Sequence, residues 1–265
     1  MIKTLLKRGY RLLCHMSIDP ISAIGFLRRY PRYLVDRKKY RDMMGSEFPD
    51  QWGFSDWPLL TDSDKPAAAL GEYFWQDFYV AMRIIQANPR RHIDVGSRID
   101  GFIAHLACTR CVEVIDIRPP PTDIPNVTFI QSSLLDLYNF PGAEAECVSC
   151  LHTLEHIGLG RYGDPVDHEG WRKGLTALAK LIKDKGNLWL SVPIGRQRIE
   201  FNAHRIFDPF TIQLEAERNA LKMQELHYLE HDDVLRRSLS MHQDMVRLSG
   251  IDYGLGVFLF KKDLT

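Results

Sequence analysis

HIDVGSRIDG, residues 92–101, is the stretch that decides the fold. A short apolar strand carries an acid, Asp94, and a glycine, Gly96, into a tight turn, and a helical pattern follows. A strand, turn and helix in that order place backbone N–H groups and the positive end of a helix beside a ligand. Fifteen residues past Gly101, the strand CVEVIDI ends near a second acid, Asp116, which is placed to accept hydrogen bonds from the two hydroxyls of a ribose. The two acids together point to a cofactor with an adenosine-like part.

Outward from this stretch, short apolar runs alternate with helical patterns from about residue 63, the signature of a mostly parallel sheet covered by helices. The pattern predicts seven strands, at 91–95, 111–117, 127–131, 146–151, 187–192, 223–228 and 257–261, and helices at 67–88, 101–108, 170–181 and 209–220. The expected fold is therefore α/β, a Rossmann-like seven-stranded sheet with helices on both faces. The segment EFPDQWGFSDWPLLTDSDKP reads as an irregular connection, rich in Pro, Trp and Asp. The expected domains are a basic helical segment with its connection, 1–62, and the sheet domain, 63–265.

The chain of 265 residues is 45% hydrophobic and 26% charged, which suits a globular domain with an added segment. Formal net charge is zero, but residues 1–45 hold 11 Lys and Arg against 3 Asp and Glu, so a basic head precedes an acidic body. Such a head can dock on an anionic membrane surface or cover the acidic body as an amphipathic helix. The sequence has no apolar run near the roughly 20 residues of a membrane span, and the head lacks a cleavage site of small residues. Five cysteines give no disulfide framework. A cytoplasmic protein is expected, with peripheral contact at the inner membrane face open to it. The acidic body and the lack of an RNA-binding motif argue against nucleic acid, despite Tyr30, Tyr33 and Tyr40 in the basic head.

From residue 73 onward the chain resembles the class I S-adenosylmethionine-dependent methyltransferases. Asp94 and Gly96 match that family's first turn, Asp116 its ribose-binding acid, and Ser133 with Leu134 its position beside the adenine. KMQELHY and GVFLFKKD look like its closing antiparallel strands. More narrowly, DVGSRIDGF, EHIGLGRYGDP, SVPIG and FNAHR resemble a methyltransferase-like family known only as a domain of unknown function. The resemblance implies S-adenosylmethionine as cofactor, held by Asp94, Gly96, Ser97, Asp116, Ser133, Leu134 and His152. The family pattern places glycines two and four residues after Gly96, where this chain has Arg98 and Asp100, with Gly101 one place late. Arg98 either crowds the amino-acid part of the cofactor or binds its carboxylate.

HTLEHIGLGRYGDP, residues 152–165, is the densest group of polar chemistry. Histidine titrates near the working pH, so His156 is the expected general base, with Glu155 as its orienter or as the alternative base. Arg161, Tyr162 and Asp164 lie on the same loop, and Asn202, His204 and Arg205 follow the fifth strand. These six are the expected substrate contacts, suited to a carbohydrate or glycan-type acceptor. Tyr73, Phe74 and Trp75, with Trp52 and Trp57, either wall the pocket or belong to core packing.

Two other classes compete with this reading. The fold can serve as a non-catalytic interaction protein of a glycan-assembly complex. A metal-assisted hydrolase would use His152, His156 and His204, although no metal site is expected. HTLEH spells an inverted zinc-protease pattern, but it follows a strand and runs into Gly158 and Gly160, leaving no helix to bring both histidines to one zinc. The pairs Cys108/Cys111 and Cys147/Cys150 are too far apart for a zinc ribbon, and are expected as buried thiols.

Overall fold

The computed structural model describes residues 19–44, 70–139, 144–160, 162, 165–201 and 203–264. The chain divides into two compact units, Met1–Ala69 and Leu70–Thr265. In the first, helix α1 (Pro20–Met44) continues through Pro31. Apolar Leu27, Val35 and Met43 are among its exposed side chains. No helix among the described residues is long and apolar enough to cross a membrane.

The second unit begins with α2 (Glu72–Ala87), which ends where Asn88 turns left-handed and returns its N–H to the Ile84 carbonyl. β1 (His92–Val95) leads into a wide helical turn, Ile99–Ile103, and the short α3 (Ala104–Ala107). β2 (Val112–Asp116), β3 (Val127–Gln131) and β4 (Ala145–Leu151) follow, then α4 (Gly170–Leu181) and the long β5 (Ile182–Ile194). A hairpin of β6 (Arg198–Glu200) and β7 (His204–Ile206) precedes α5 (Pro209–Arg218), which Asp208 caps by accepting from the Phe210 N–H. β8 (Leu221–Leu229), β9 (Arg236–Arg237), α6 (Met241–Leu248) and β10 (Gly254–Lys262) complete the unit.

The main sheet has the order β3-β2-β1-β4-β5-β10-β8-β9 among the described residues. β3, β2, β1, β4 and β5 are mutually parallel, and β10 inserts antiparallel between β5 and β8. This is the expected Rossmann-like α/β sheet with an antiparallel last strand. The expected strands are all present, and β9, the β6–β7 hairpin and α6 are additions. β9 and the hairpin strands have two or three residues each, too few for a period to show.

Alternation along β1 turns Ile93 and Val95 to one face of the sheet and the buried polar His92 and Asp94 to the other. Ile93 and Val95 pack with Leu154, Leu175 and Leu178 on the α4 face. On the α2 face, Val80, Ile84, Phe102 and Trp189 form the second core. Strand order reverses between β1 and β4, so the carboxyl ends of these two strands open a crevice, the place where ligands bind in sheets of this type.

Candidate active site

The cleft at that crevice holds about 950 Å³ of empty space, its open mouth included, and is lined by Gly96, Asp116, Ser133, Leu134, His152, His156, Tyr73 and Tyr162 among others. The turn after β1 makes its floor. Gly96 has φ +72°, and a Cβ there would lie 2.5 Å from Thr153 Cγ2, so backbone conformation and space both require glycine.

Asp94 does not line this cleft. It points the other way along the alternating strand, fully buried, and its carboxylate is used internally. The Ser97 N–H donates to Oδ1 at 3.0 Å, and the Ser97 and Ser149 hydroxyls each donate to Oδ2 at 2.6 Å. Burial pushes its carboxyl up to about 7, against the opposing effect of these hydrogen bonds. Ser97 Oγ in turn accepts from the Leu151 N–H at 3.1 Å. Asp94 and Ser97 thus stitch the β1 turn to the end of β4, behind the surface that faces a ligand.

Asp116 does line the cleft, with both oxygens engaged by Arg118. The Arg118 guanidinium also stands 4.4 Å over the Tyr162 ring at the mouth. At the other end, Arg98 makes a two-point pair with Asp100 and stands 5.1 Å over the Tyr73 ring. Arg98 therefore lines the cleft while its guanidinium is held by Asp100 and Tyr73. The late glycine serves a different contact: a Cβ on Gly101 would lie 2.1 Å from Asp77 Oδ2. Asp77 is buried on α2, and burial pushes its carboxyl up to about 6.

Beyond β4, the helical turn Leu154–His156 brings together three polar side chains. His152 has φ +50°, and its Nδ1 lies 2.7 Å from Glu155 Oε1. His156 Nδ1 is 2.7 Å from the Ala203 carbonyl, and its Nε2 is 3.6 Å from Glu155 Oε1. The partner of Glu155 is thus His152 at hydrogen-bond distance, where the sequence pairs it with His156.

Of the expected substrate contacts, Tyr162 lies at the mouth, and Arg161, Asp164 and Asn202 fall outside the described residues. Arg205 is a correction. Its side chain is buried, and its guanidinium donates to the Glu155 and Ile157 carbonyls at 3.3 and 2.6 Å. His204 is half-buried on the hairpin, its Nε2 3.6 Å from Glu200 Oε2. Tyr73 is a cleft residue that the sequence left open between pocket wall and core. Trp52 and Trp57 lie outside the described residues.

Among the described residues, no group of three His, Cys, Asp or Glu is arranged to hold a metal ion. Cys147 and Cys150 are buried thiols, as expected, and burial pushes Cys147 up to about 12. Cys108 and Cys111 are exposed, contrary to expectation, because they flank the turn between α3 and β2 rather than sitting inside a strand.

A family model described as "Caenorhabditis protein of unknown function, DUF268" matches residues 136–217, less than a third of the chain. No curated protein matches the sequence. Among solved structures, the chain is similar to the N-methyltransferase NodS from Bradyrhizobium japonicum WM9 in complex with S-adenosylhomocysteine, with 13% identity, 78% of this chain and 93% of that one covered, and a TM-score of 0.48. It is also similar to the 1,6-didemethyltoxoflavin-N1-methyltransferase of Burkholderia thailandensis, with 14% identity, 76% and 93% covered, and a TM-score of 0.46. A third similarity is to the YcgJ protein of Bacillus subtilis, with 12% identity, 71% and 100% covered, and a TM-score of 0.47. The fold itself stands on the strand order and register above.

Proposed function

We propose that the protein is an S-adenosylmethionine-dependent methyltransferase acting on a hydroxyl of a carbohydrate-type acceptor. The observation that carries this is the convergence in one cleft, at the β1/β4 crevice, of the Gly96 turn, Asp116 at the end of β2, and Ser133 with Leu134 after β3. The lining suits such a cofactor. Asp116 would take the ribose hydroxyls, Leu134 would flank the adenine, and Tyr73 and Arg98 would meet the amino-acid part. The cofactor would supply an electrophilic methyl group, transferred to the acceptor oxygen as the methyl–sulfur bond breaks and leaves its electron pair on sulfur. The chain's own part is to hold donor and acceptor in line and to accept one proton. Tyr162, 40% exposed at the mouth beside Arg118, offers the aromatic face and hydrogen-bond donors that a sugar can use.

One observation favours the non-catalytic reading, since Arg118 occupies the Asp116 carboxylate that the ribose would need. Calorimetric titration with S-adenosylmethionine and S-adenosylhomocysteine decides between the two. Micromolar binding that is lost in Asp116→Ala supports the enzyme, and no heat with either ligand supports an interaction protein.

A further inference from the structure

We infer that His152, oriented by Glu155, is the group that takes the acceptor's proton; the inference rests on the methyl-transfer reading above. His152 is the first residue past β4, and its left-handed backbone is unusual for a residue with a Cβ. This conformation keeps its N–H on the Ser191 carbonyl at 3.1 Å while Nδ1 lies 2.7 Å from Glu155 Oε1. An ionised carboxylate only accepts, so Nδ1 carries the proton and Nε2 of the neutral ring carries the lone pair. The side chain is 5% exposed, and neither His152 Nε2 nor the outer oxygen of Glu155 has a hydrogen-bond partner. Buried polar atoms seldom go without partners, and His152 lies at the wall of the ligand cleft with Glu155 behind it. Tyr73 covers the ring, with centroids 4.9 Å apart, so the acceptor would reach Nε2 from beneath or beside Tyr73.

His156 is the less suitable group, because its Nδ1–H is given to the neutral Ala203 carbonyl rather than to a carboxylate, and its Nε2 already faces Glu155 Oε1 at 3.6 Å. In the proton step, the acceptor's O–H bond breaks and its electron pair stays on oxygen as the new C–O bond forms. The proton passes to His152 Nε2, and the resulting imidazolium lies against the Glu155 carboxylate.

The surroundings support both charge states. Burial alone would lower the His152 ring, but the charge of Glu155 and the hydrogen bond to it, with Glu72 and Asp77 on α2, raise it overall. Burial would likewise raise the Glu155 carboxyl, but His152 and then His156 hold it below the ordinary range. The other groups facing this corner include Tyr73, with the Arg98 guanidinium 5.1 Å over its ring, and Tyr253, whose hydroxyl lies 2.9 Å from Glu72 Oε2.

The test uses the full chain and binding alone. S-adenosylmethionine carries a positive sulfur and S-adenosylhomocysteine does not, so a charged His152 beside the transfer point weakens the first relative to the second. Calorimetry from about pH 6 to about pH 9, a span reaching well above the ordinary imidazole range, should show the affinity ratio of S-adenosylmethionine to S-adenosylhomocysteine rising at least about threefold as the ring loses its charge. His152→Gln should abolish that rise, and Glu155→Gln should move it to lower pH. Asp77→Asn and Asp94→Asn, which remove the two carboxyls titrating near this range, should each leave the rise in place. A ratio flat with pH in the native protein, or a rise that persists in His152→Gln, overturns the inference while leaving the cofactor reading intact. Failure of the native protein to bind either ligand removes the cofactor reading itself, and the inference with it.

Discussion

Arg118 folds back onto Asp116 two residues earlier, its N–H 2.8 Å and its Nε 3.2 Å from Oδ1, with a terminal nitrogen 3.2 Å from Oδ2. The guanidinium is 57% exposed at the side chain, and pairs this open to solvent contribute about 0–1 kcal/mol. A ribose can therefore displace the guanidinium while keeping the carboxylate. Arg118→Ala is expected to change S-adenosylhomocysteine affinity by less than about fivefold, whereas Asp116→Ala should weaken it at least about 30-fold through loss of charge-assisted hydrogen bonds. Calorimetry on the two variants checks the contrast. Equal losses in both would assign Arg118 to the ligand rather than to Asp116.

The fully buried Asp94 makes stability depend on pH in a defined direction. Its carboxyl is pushed up to about 7 in the folded chain against an ordinary value of 3.8. Between those values the folded state holds more protons than the unfolded one, so stability falls as pH rises from about 4 to 7 and levels off above. Asp77, at about 6, acts in the same sense over a narrower range. Urea unfolding at pH 5 and pH 8 should show native protein less stable at pH 8 by roughly 2–3 kcal/mol from Asp94. Asp94→Asn should flatten most of that slope.

The sheet was legible in the sequence because its strands are long or flanked by turn residues, and because Gly96 and Asp116 end two of them. The role of Asp94 was not legible, since direction depends on strand parity: Ile93 and Val95 face the α4 core, and Asp94 pairs across the register with Ser149. Arg205 looked like a substrate contact because it falls in a donor-rich loop with Asn202 and His204, and the sequence gives no sign of the carbonyls it will meet. The glycine at position 101 read as a family glycine one place late. Only the packing of α2 shows that Asp77 occupies the space over it.

Arg205 should behave as part of the scaffold. Its guanidinium donates to carbonyls at Glu155 and Ile157, so truncation leaves those oxygens without that donor and loosens the turn that carries Glu155. Arg205→Met is expected to cost about 2–3 kcal/mol in chemical denaturation. A substrate contact would instead leave stability unchanged and alter only acceptor binding, so an unchanged unfolding midpoint would restore the role read from the sequence.

Gly101 and Asp77 should be coupled energetically. A methyl group at position 101 would stand 2.1 Å from Asp77 Oδ2, too close for any contact, and both residues lie in packed elements that cannot move apart freely. Gly101→Ala alone is expected to destabilise by about 1–3 kcal/mol, the usual cost of overpacking. In the Asp77→Ala background the obstructing carboxyl is gone, and a helical alanine is intrinsically favoured over glycine by about 1 kcal/mol. The same substitution should then be neutral or stabilising, giving a coupling energy of about 2 kcal/mol in a double-mutant cycle followed by urea unfolding. Additive effects would mean that the glycine is needed for the turn's backbone and not for Asp77. Binding of S-adenosylhomocysteine by the double variant would separate the two roles directly, since a glycine required by the cofactor would still be missed there.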